Sequence, residues 1–322
     1  MLRIYTATGH RLIGMGDVLP PDAVWIDLLN PTLEEEQQVE RAMEFGVPTA
    51  DEMAEIETSS RLYVDNGAIV MTATLATGIM AETPETVPVS FVLGKNHLVT
   101  VRYAEIRSFD LYAAQLARQP GQRSAAPLAL MGLIEAVVDR LADGLEHIGR
   151  EVDQISRAAF RRAGDHSSQQ RRSNLALRVL LIRLGAAQDG LSKARESVVS
   201  LNRALSFLQF AAPKDARLSA QIKTQVRDLA SLADQASFVG NNLTFLLDAT
   251  LGLISIEQNG IFKILSVASL VFLPPTLVAG IYGMNFEHMP ELEWVLGYPM
   301  ALGIMLAAAV LPYAIFRWRG WL

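Results

Sequence analysis

Ile281-Tyr282-Gly283-Met284-Asn285-Phe286-Glu287-His288-Met289-Pro290-Glu291-Leu292 is a short polar stretch between two long apolar runs. Residues 264–282 and 298–316 contain no charged side chain, and each run is about as long as a helix needs to cross a bilayer core, roughly 20 residues. The stretch and the residue after Leu292 carry three carboxylates, Glu287, Glu291 and Glu293. The pattern is that of a membrane hairpin with an acidic external loop, and the upstream chain has to be read as a body attached to it.

The flanks give the hairpin a direction. Cytoplasmic flanks carry excess Lys and Arg. Lys263 precedes the first run and Arg317 and Arg319 follow the second, so both termini are expected inside and the loop around Asn285 outside. Residues 1–16 hold no apolar core of seven or more, so no signal peptide is expected and the N-terminal body should stay cytoplasmic. A mean hydropathy of +0.23 with 19% charged residues suits a soluble body with a small membrane part. The absence of cysteine excludes a disulfide framework, a thiolate zinc site and a cysteine nucleophile. Residues 1–57 carry twelve acids against Arg3, Arg11 and Arg41, which argues against nucleic-acid binding and provides an acidic, solvated lobe.

Within that body, the first third alternates strand-like and helical runs. Arg3-Ile4-Tyr5, Ala23 through Leu28, Arg61 through Val64, Ile69 through Thr72, Val89 through Leu93 and Leu98 through Val101 read as strands, the last two forming a hairpin about Gly94-Lys95-Asn96. Thr32 with Glu35 three residues on is a capping box opening a helix. Residues 1–104 are thus expected to form an α/β subdomain. After Glu105 strand signals stop. Residues 105–213 read as the helical part of the same domain, 214–263 as a stalk helix continuing into a first span at 264–282, 283–297 as the external loop, 298–316 as the second span and 317–322 as a basic tail.

No P-loop, GxGxxG, HExxH or nucleophile elbow occurs, so no enzyme chemistry and no organic cofactor is expected. Asp143, His147 and Glu151 follow one another by single turns, a spacing that fits a solvated helix face. The first apolar run is more informative. Asn259, Phe262, Ser266, Ser269, Leu273, Thr276 and Gly280 recur at spacings of three and four and share one face, while Ile264, Val267, Leu270, Val271 and Leu277 occupy the other. A stripe of small and polar residues in hydrocarbon reads either as a helix-packing seam or as the lining of an aqueous path. Pro274-Pro275 deletes backbone donors within the span and predicts a kink. Two spans cannot enclose a pore, so a channel would need several copies around an axis. Each copy would then set Asn285 at the external mouth, where neutral amide oxygens can hold a hydrated magnesium ion by its waters.

Tyr282-Gly283-Met284-Asn285 with Phe286-Glu287 and Met289-Pro290-Glu291-Leu292, Gly297-Tyr298-Pro299 and the terminal Arg317-Trp318-Arg319-Gly320-Trp321-Leu322 resemble the signature of the CorA magnesium and cobalt transporters. Trp25-Ile26-Asp27-Leu28, Phe91-Val92-Leu93 and Leu98 through Arg102 are similar to that family more loosely. The resemblance implies an α+β cytoplasmic domain of α/β/α sandwich type, long stalk helices and a two-helix membrane hairpin, assembled as a funnel-shaped homopentamer in a bacterial inner membrane. It implies uptake of Mg²⁺, with Co²⁺ and Ni²⁺ as further cargo. Gly283, Met284 and Asn285 would form the selectivity filter, with Asn285 as its outer ring. Thr276 would be a polar ring, Phe262, Leu265 and Leu273 the hydrophobic gate, Asn259 the inner mouth, and Lys263, Arg317 and Arg319 a basic collar. It also implies that internal Mg²⁺ bound between cytoplasmic carboxylates closes the channel, for which Asp228 and Asp234 are the stalk candidates. Partners would be other copies of the chain, the lipid bilayer and divalent cations. Two other readings stand beside this one: a zinc transporter of the ZntB type with the same architecture, and a membrane-anchored scaffold or sensor whose hairpin is only a tether.

Overall fold

The computed structural model describes residues 1–6, 9–12, 20, 22–81, 83–118, 125–163, 170–213, 215–284, 289–290 and 294–319, with backbone alone for 9–12, 161–163 and 170–176. It contains two compact units, residues 1–247 and 248–322.

The first unit is built on a seven-stranded sheet: β1 (Leu2–Thr6), β2 (Gly9–Leu12), β3 (Ala23–Leu29), β4 (Leu62–Asp65), β5 (Ala68–Thr77), β6 (Glu85–Leu93) and β7 (Leu98–Arg102). Their spatial order is β2-β1-β3-β7-β6-β5-β4. Among the described residues, only β3 and β7 pair in parallel. The remaining neighbours run antiparallel, as hairpins and short returns allow. Every residue of β3 is buried, which its sequence AVWIDLL demands of a strand covered on both faces. Ile26 and Leu28 join Val39 of α1 (Leu33–Met43) and Met53 of α2 (Ala50–Ala54) in one core. Trp25, pointing the other way, packs on Phe109 and Tyr112 of α4 (Arg107–Arg118), with ring centroids 6.1 and 5.5 Å apart. The strand therefore lies in the middle of an α/β/α arrangement, with the short α3 (Thr58–Arg61) leading into the edge strand β4.

The predicted capping box forms. Thr32 Oγ1 accepts the Glu35 N–H at 3.3 Å, and Glu35 Oε2 accepts the Thr32 N–H at 3.0 Å. The same carboxylate holds the N-terminal ammonium at 2.8 Å.

A polar network sits inside the sheet. Arg102, 1% exposed, donates from Nε and Nη2 to the two carboxylate oxygens of the fully buried Asp27, at 3.0 and 2.8 Å. Thr100 Oγ1 donates to Asp27 Oδ1 at 2.9 Å while accepting from Trp25 Nε1, and Arg102 also lies 4.8 Å over the Phe109 ring. The bidentate pair is tolerable in the interior because its donors and acceptors are met.

Three long helices follow: α5 (Ala126–Ala163), α6 (Gln170–Ala211) and α7 (Ala216–Tyr282). β4 pairs with β5 only from Ala68 to Met71, which leaves the rest of that β5 edge open. Helix α6 closes it: Ser200 Oγ accepts the Thr74 N–H and Ser197 Oγ the Ala76 N–H. The β5–β6 connection turns at Gly78, whose φ of +65° and 2.8 Å approach of a built Cβ to the Thr83 carbonyl both require glycine. Ile79 of that loop presses on α5 at Gly144. Early in α7, Val239 meets Gly149 of α5 and Gly240 meets Leu191 of α6, so the three helices pack as a layer.

The second unit holds the end of α7 and α8 (Gly297–Trp318). α7 runs for 67 residues, which at ~1.5 Å per residue is on the order of 100 Å. It remains helical through Pro274 and Pro275. Both helices contain a stretch long and apolar enough to cross a membrane.

Candidate functional site

The chemistry-bearing stretch begins where α7 becomes apolar. Asn259, Phe262, Ser266, Ser269, Leu273, Thr276 and Gly280 are all exposed within the single chain, and Leu265 beside them is exposed as well. Half-buried residues of the same stretch, among them Val267, Val271 and Val278, lie on the opposite side of the helix. There, Ile264, Val267 and Val271 line a common cleft with Ala309, Val310 and Tyr313 of α8. α8 has covered positions of its own: Gly297, Ala301, Met305, Ala308 and Pro312 recur at spacings of three and four, with Met300, Ala309 and Phe316 beside them. The covered row on α8 was not read from the sequence.

On the open side, Ser269, Leu273, Thr276 and Gly280 line a groove of about 880 Å³, flanked by Phe272 and Met284; Leu277, expected on the other face, lines it too, because it lies one turn after Leu273. Thr276 Oγ1 donates to the Phe272 carbonyl at 2.7 Å. With its proton spent on the helix, the hydroxyl offers its lone pairs outward. That polarity suits the outward-pointing hydrogens of a hydrated cation. Phe262, Leu265 and Leu273, at 64%, 62% and 72% exposure, are apolar groups left uncovered on the same side. Gly283 N–H bonds to Ala279 O at 2.9 Å and Met284 N–H to Ile281 O at 3.2 Å, closing the helix just before the loop. Asn285, Glu287, Glu291 and Glu293 lie outside the described residues. Lys263, Arg317 and Arg319 are exposed.

In the first unit, Asp228 and Asp234 are exposed on α7. Among the described residues, no three His, Cys, Asp or Glu side chains come together as a metal site. Asp228 does reach electrostatically across to α5. Although solvent reaches Asp139, partial burial, and then the charges of Glu135, Asp143 and Asp228, hold its carboxyl above the usual aspartate range. His147 and Glu151 line a small cavity in which Arg183 has taken Glu151 as an ion-pair partner at 2.7 Å, in keeping with a structural role for that helix face.

Residues 21–318 match the family model of the CorA-like Mg²⁺ transporter protein. The magnesium transport protein CorA of Pasteurella multocida is 34% identical over 300 residues, covering 93% of this chain and 92% of that one. Among solved structures, the complete CorA magnesium transporter of Methanocaldococcus jannaschii superposes with a TM-score of 0.73 at 18% identity, covering 100% of this chain and 98% of its own. The ZntB cytoplasmic domain from Vibrio parahaemolyticus is more distant, with a TM-score of 0.52 and 13% identity over 72% of this chain and 87% of that domain. These two likenesses concern fold alone.

Proposed function

The chain belongs to the CorA-like Mg²⁺ transporter family, a family of transporters rather than enzymes, and from that premise we propose that it forms a homopentameric cation channel in a bacterial inner membrane. Mg²⁺ is its cargo, Co²⁺ and Ni²⁺ are further candidates, and both termini are cytoplasmic. The observation that carries this reading is the orientation of α7: its small and polar stripe is left uncovered and lines a groove with no α8 residue, while residues of the opposite side share a cleft with α8. A tether needs no such division. Copies arranged around an axis would bring the stripes together as a lining.

In this reading, Gly283, Met284 and Asn285 form the entrance. A ring of Asn285 amide oxygens would hold the ion through its waters, which suits magnesium because it dehydrates reluctantly. Glu287, Glu291 and Glu293 would raise the local cation concentration. Thr276 would take over as the next ring of acceptors. Phe262, Leu265 and Leu273 would close the path by excluding water. Asn259 would mark the inner mouth, and Lys263, Arg317 and Arg319 the collar around it. Internal Mg²⁺ would close the channel through stalk carboxylates, with Asp228 first, because it already shares a field with Asp139, and Asp234 second.

One flux assay tests both parts. Full-length protein in liposomes should pass Mg²⁺, and Asn285→Ala should abolish selective uptake; uptake that survives unchanged would sink the filter. Asp228→Ala should weaken inhibition by Mg²⁺ on the cytoplasmic side, and unaltered inhibition would remove Asp228 from regulation. A series with Co²⁺, Ni²⁺ and Zn²⁺ in the same liposomes ranks the cargo.

A further inference from the structure

The cleft that α7 and α8 share within the second unit holds about 470 Å³ and is confined to one end of the hairpin. Its walls run over residues 264–272 on α7 and 309–313 on α8, which open the first charge-free run and lie near the close of the second. The flanking basic residues mark that end as cytoplasmic. From Ile264 to Phe272 the helix rises on the order of 12 Å at ~1.5 Å per residue, a little under half of a ~30 Å hydrocarbon core. Apart from Tyr313, every lining side chain is hydrocarbon. The cleft is thus an apolar slot about as deep as one leaflet.

Two cations stand beyond its cytoplasmic end. Lys263 lies one turn before Val267 on α7, and Arg317 one turn after Tyr313 on α8, so each continues a cleft-lining row toward the cytoplasm. Both are exposed, and among the described residues neither makes an ion pair. Long basic side chains at the ends of a span extend toward the head-group layer. Basic pockets between membrane helices on the cytoplasmic side suit anionic head groups.

Depth and charge together select the occupant, which has to be apolar over one leaflet and anionic at one end. A helix from a neighbouring copy crosses the whole core and would overrun a slot that ends at Phe272. An uncharged hydrophobic molecule would leave Lys263 and Arg317 unmatched. We propose that an anionic phospholipid of the cytoplasmic leaflet sits here, with one acyl chain in the cleft and its phosphate against Lys263 and Arg317. Ala268 and Phe272 are wall to this cleft and to the open groove alike, so the lipid backs the wall of that groove. The proposal rests on the membrane placement of the hairpin with both termini inside, and not on the pore.

The test is native mass spectrometry of the full-length protein in detergent, titrated with phosphatidylglycerol or with phosphatidylcholine of the same acyl chains. One retained phosphatidylglycerol per chain is expected, with phosphatidylcholine held at least about tenfold more weakly. Lys263→Gln combined with Arg317→Gln should weaken phosphatidylglycerol at least about tenfold and erase the preference. Val310→Trp, which fills the cleft and keeps both charges, should remove the retained lipid. Lys223→Gln, exposed far earlier on α7, should bind like the parent. Equal retention of the two lipids, or retention undiminished in the double variant or in Val310→Trp, overturns the proposal. So does the absence of any retained phosphatidylglycerol, which is the result expected if a second copy of the chain covers the cleft. None of these readouts uses Mg²⁺ flux, so a failure here leaves the transport reading to its own assay.

Discussion

Replacing Thr276 by Val removes one hydroxyl and almost no volume, and the structure says what that hydroxyl does. Its proton is committed to the Phe272 carbonyl at 2.7 Å, one turn back on the same helix, and its oxygen is exposed on the open side of α7. The structural part of the loss is small. Side-chain hydrogen bonds in membrane helices average about 0.6 kcal/mol, and the Phe272 carbonyl keeps its backbone partner. The functional part is larger if the oxygen accepts from the water shell of a passing cation. A hydrogen bond assisted by charge contributes about 1.5–3 kcal/mol, and even the low end corresponds to about a tenfold change in rate for one subunit. Thr276→Val should therefore lower Mg²⁺ flux into liposomes about tenfold or more, with an unchanged melting temperature in detergent. Thr276→Ser, which keeps the acceptor, should restore most of the flux. If the Val variant passes Mg²⁺ within about twofold of the parent, the hydroxyl does not meet the ion's water and the polar ring is refuted.

Two further outcomes concern the first unit. Asp27→Ala strands a guanidinium that is 1% exposed, and should destabilise the unit by about 3–5 kcal/mol, or roughly 10 °C in melting temperature. The double variant Asp27→Leu with Arg102→Met should recover most of that loss in scanning calorimetry, and a single variant costing less than about 1 kcal/mol would contradict the network's role. Asp139→Asn should raise the melting temperature at pH 7. The carboxyl of Asp139 is held above its ordinary value, so the protonated form favours the folded state; its contribution is complete below the unfolded pKa, near 4, and is lost as pH rises through the higher folded value. The gap between variant and parent should accordingly close below about pH 4, and a gap independent of pH would assign the effect to packing.

How far the sequence reached follows from where the information sits along the chain. Charge-free runs, flanking basic residues and the 3.6-residue period are properties of neighbouring positions, so the two membrane helices, the long helices before them and the Thr32–Glu35 cap were all legible. The strands with β-branched cores were legible for the same reason. β2 was not: Gly9-His10-Arg11-Leu12 has no apolar alternation and becomes a strand only because β1 pairs with it. The periodic stripe on α7 was visible as well, but its two readings could not be separated by period alone, since a packing seam and a water-facing lining repeat identically.

What the sequence could not give within the chain is which side of α7 faces α8, a matter of residues more than thirty positions apart. The same holds elsewhere. Asp27 and Arg102 are 75 residues apart and meet because β3 and β7 lie side by side. Ser197 and Ser200 find the open edge of β5 across more than 120 residues. Asp139 and Asp228 share a field across two helices. The sequence by itself determined most of the elements, β2 excepted, and that two of them suit a membrane, because propensity, capping and hydropathy act locally. Tertiary structure alone decided which faces are covered and which side chains meet, because burial and charge pairing depend on what folding brings together.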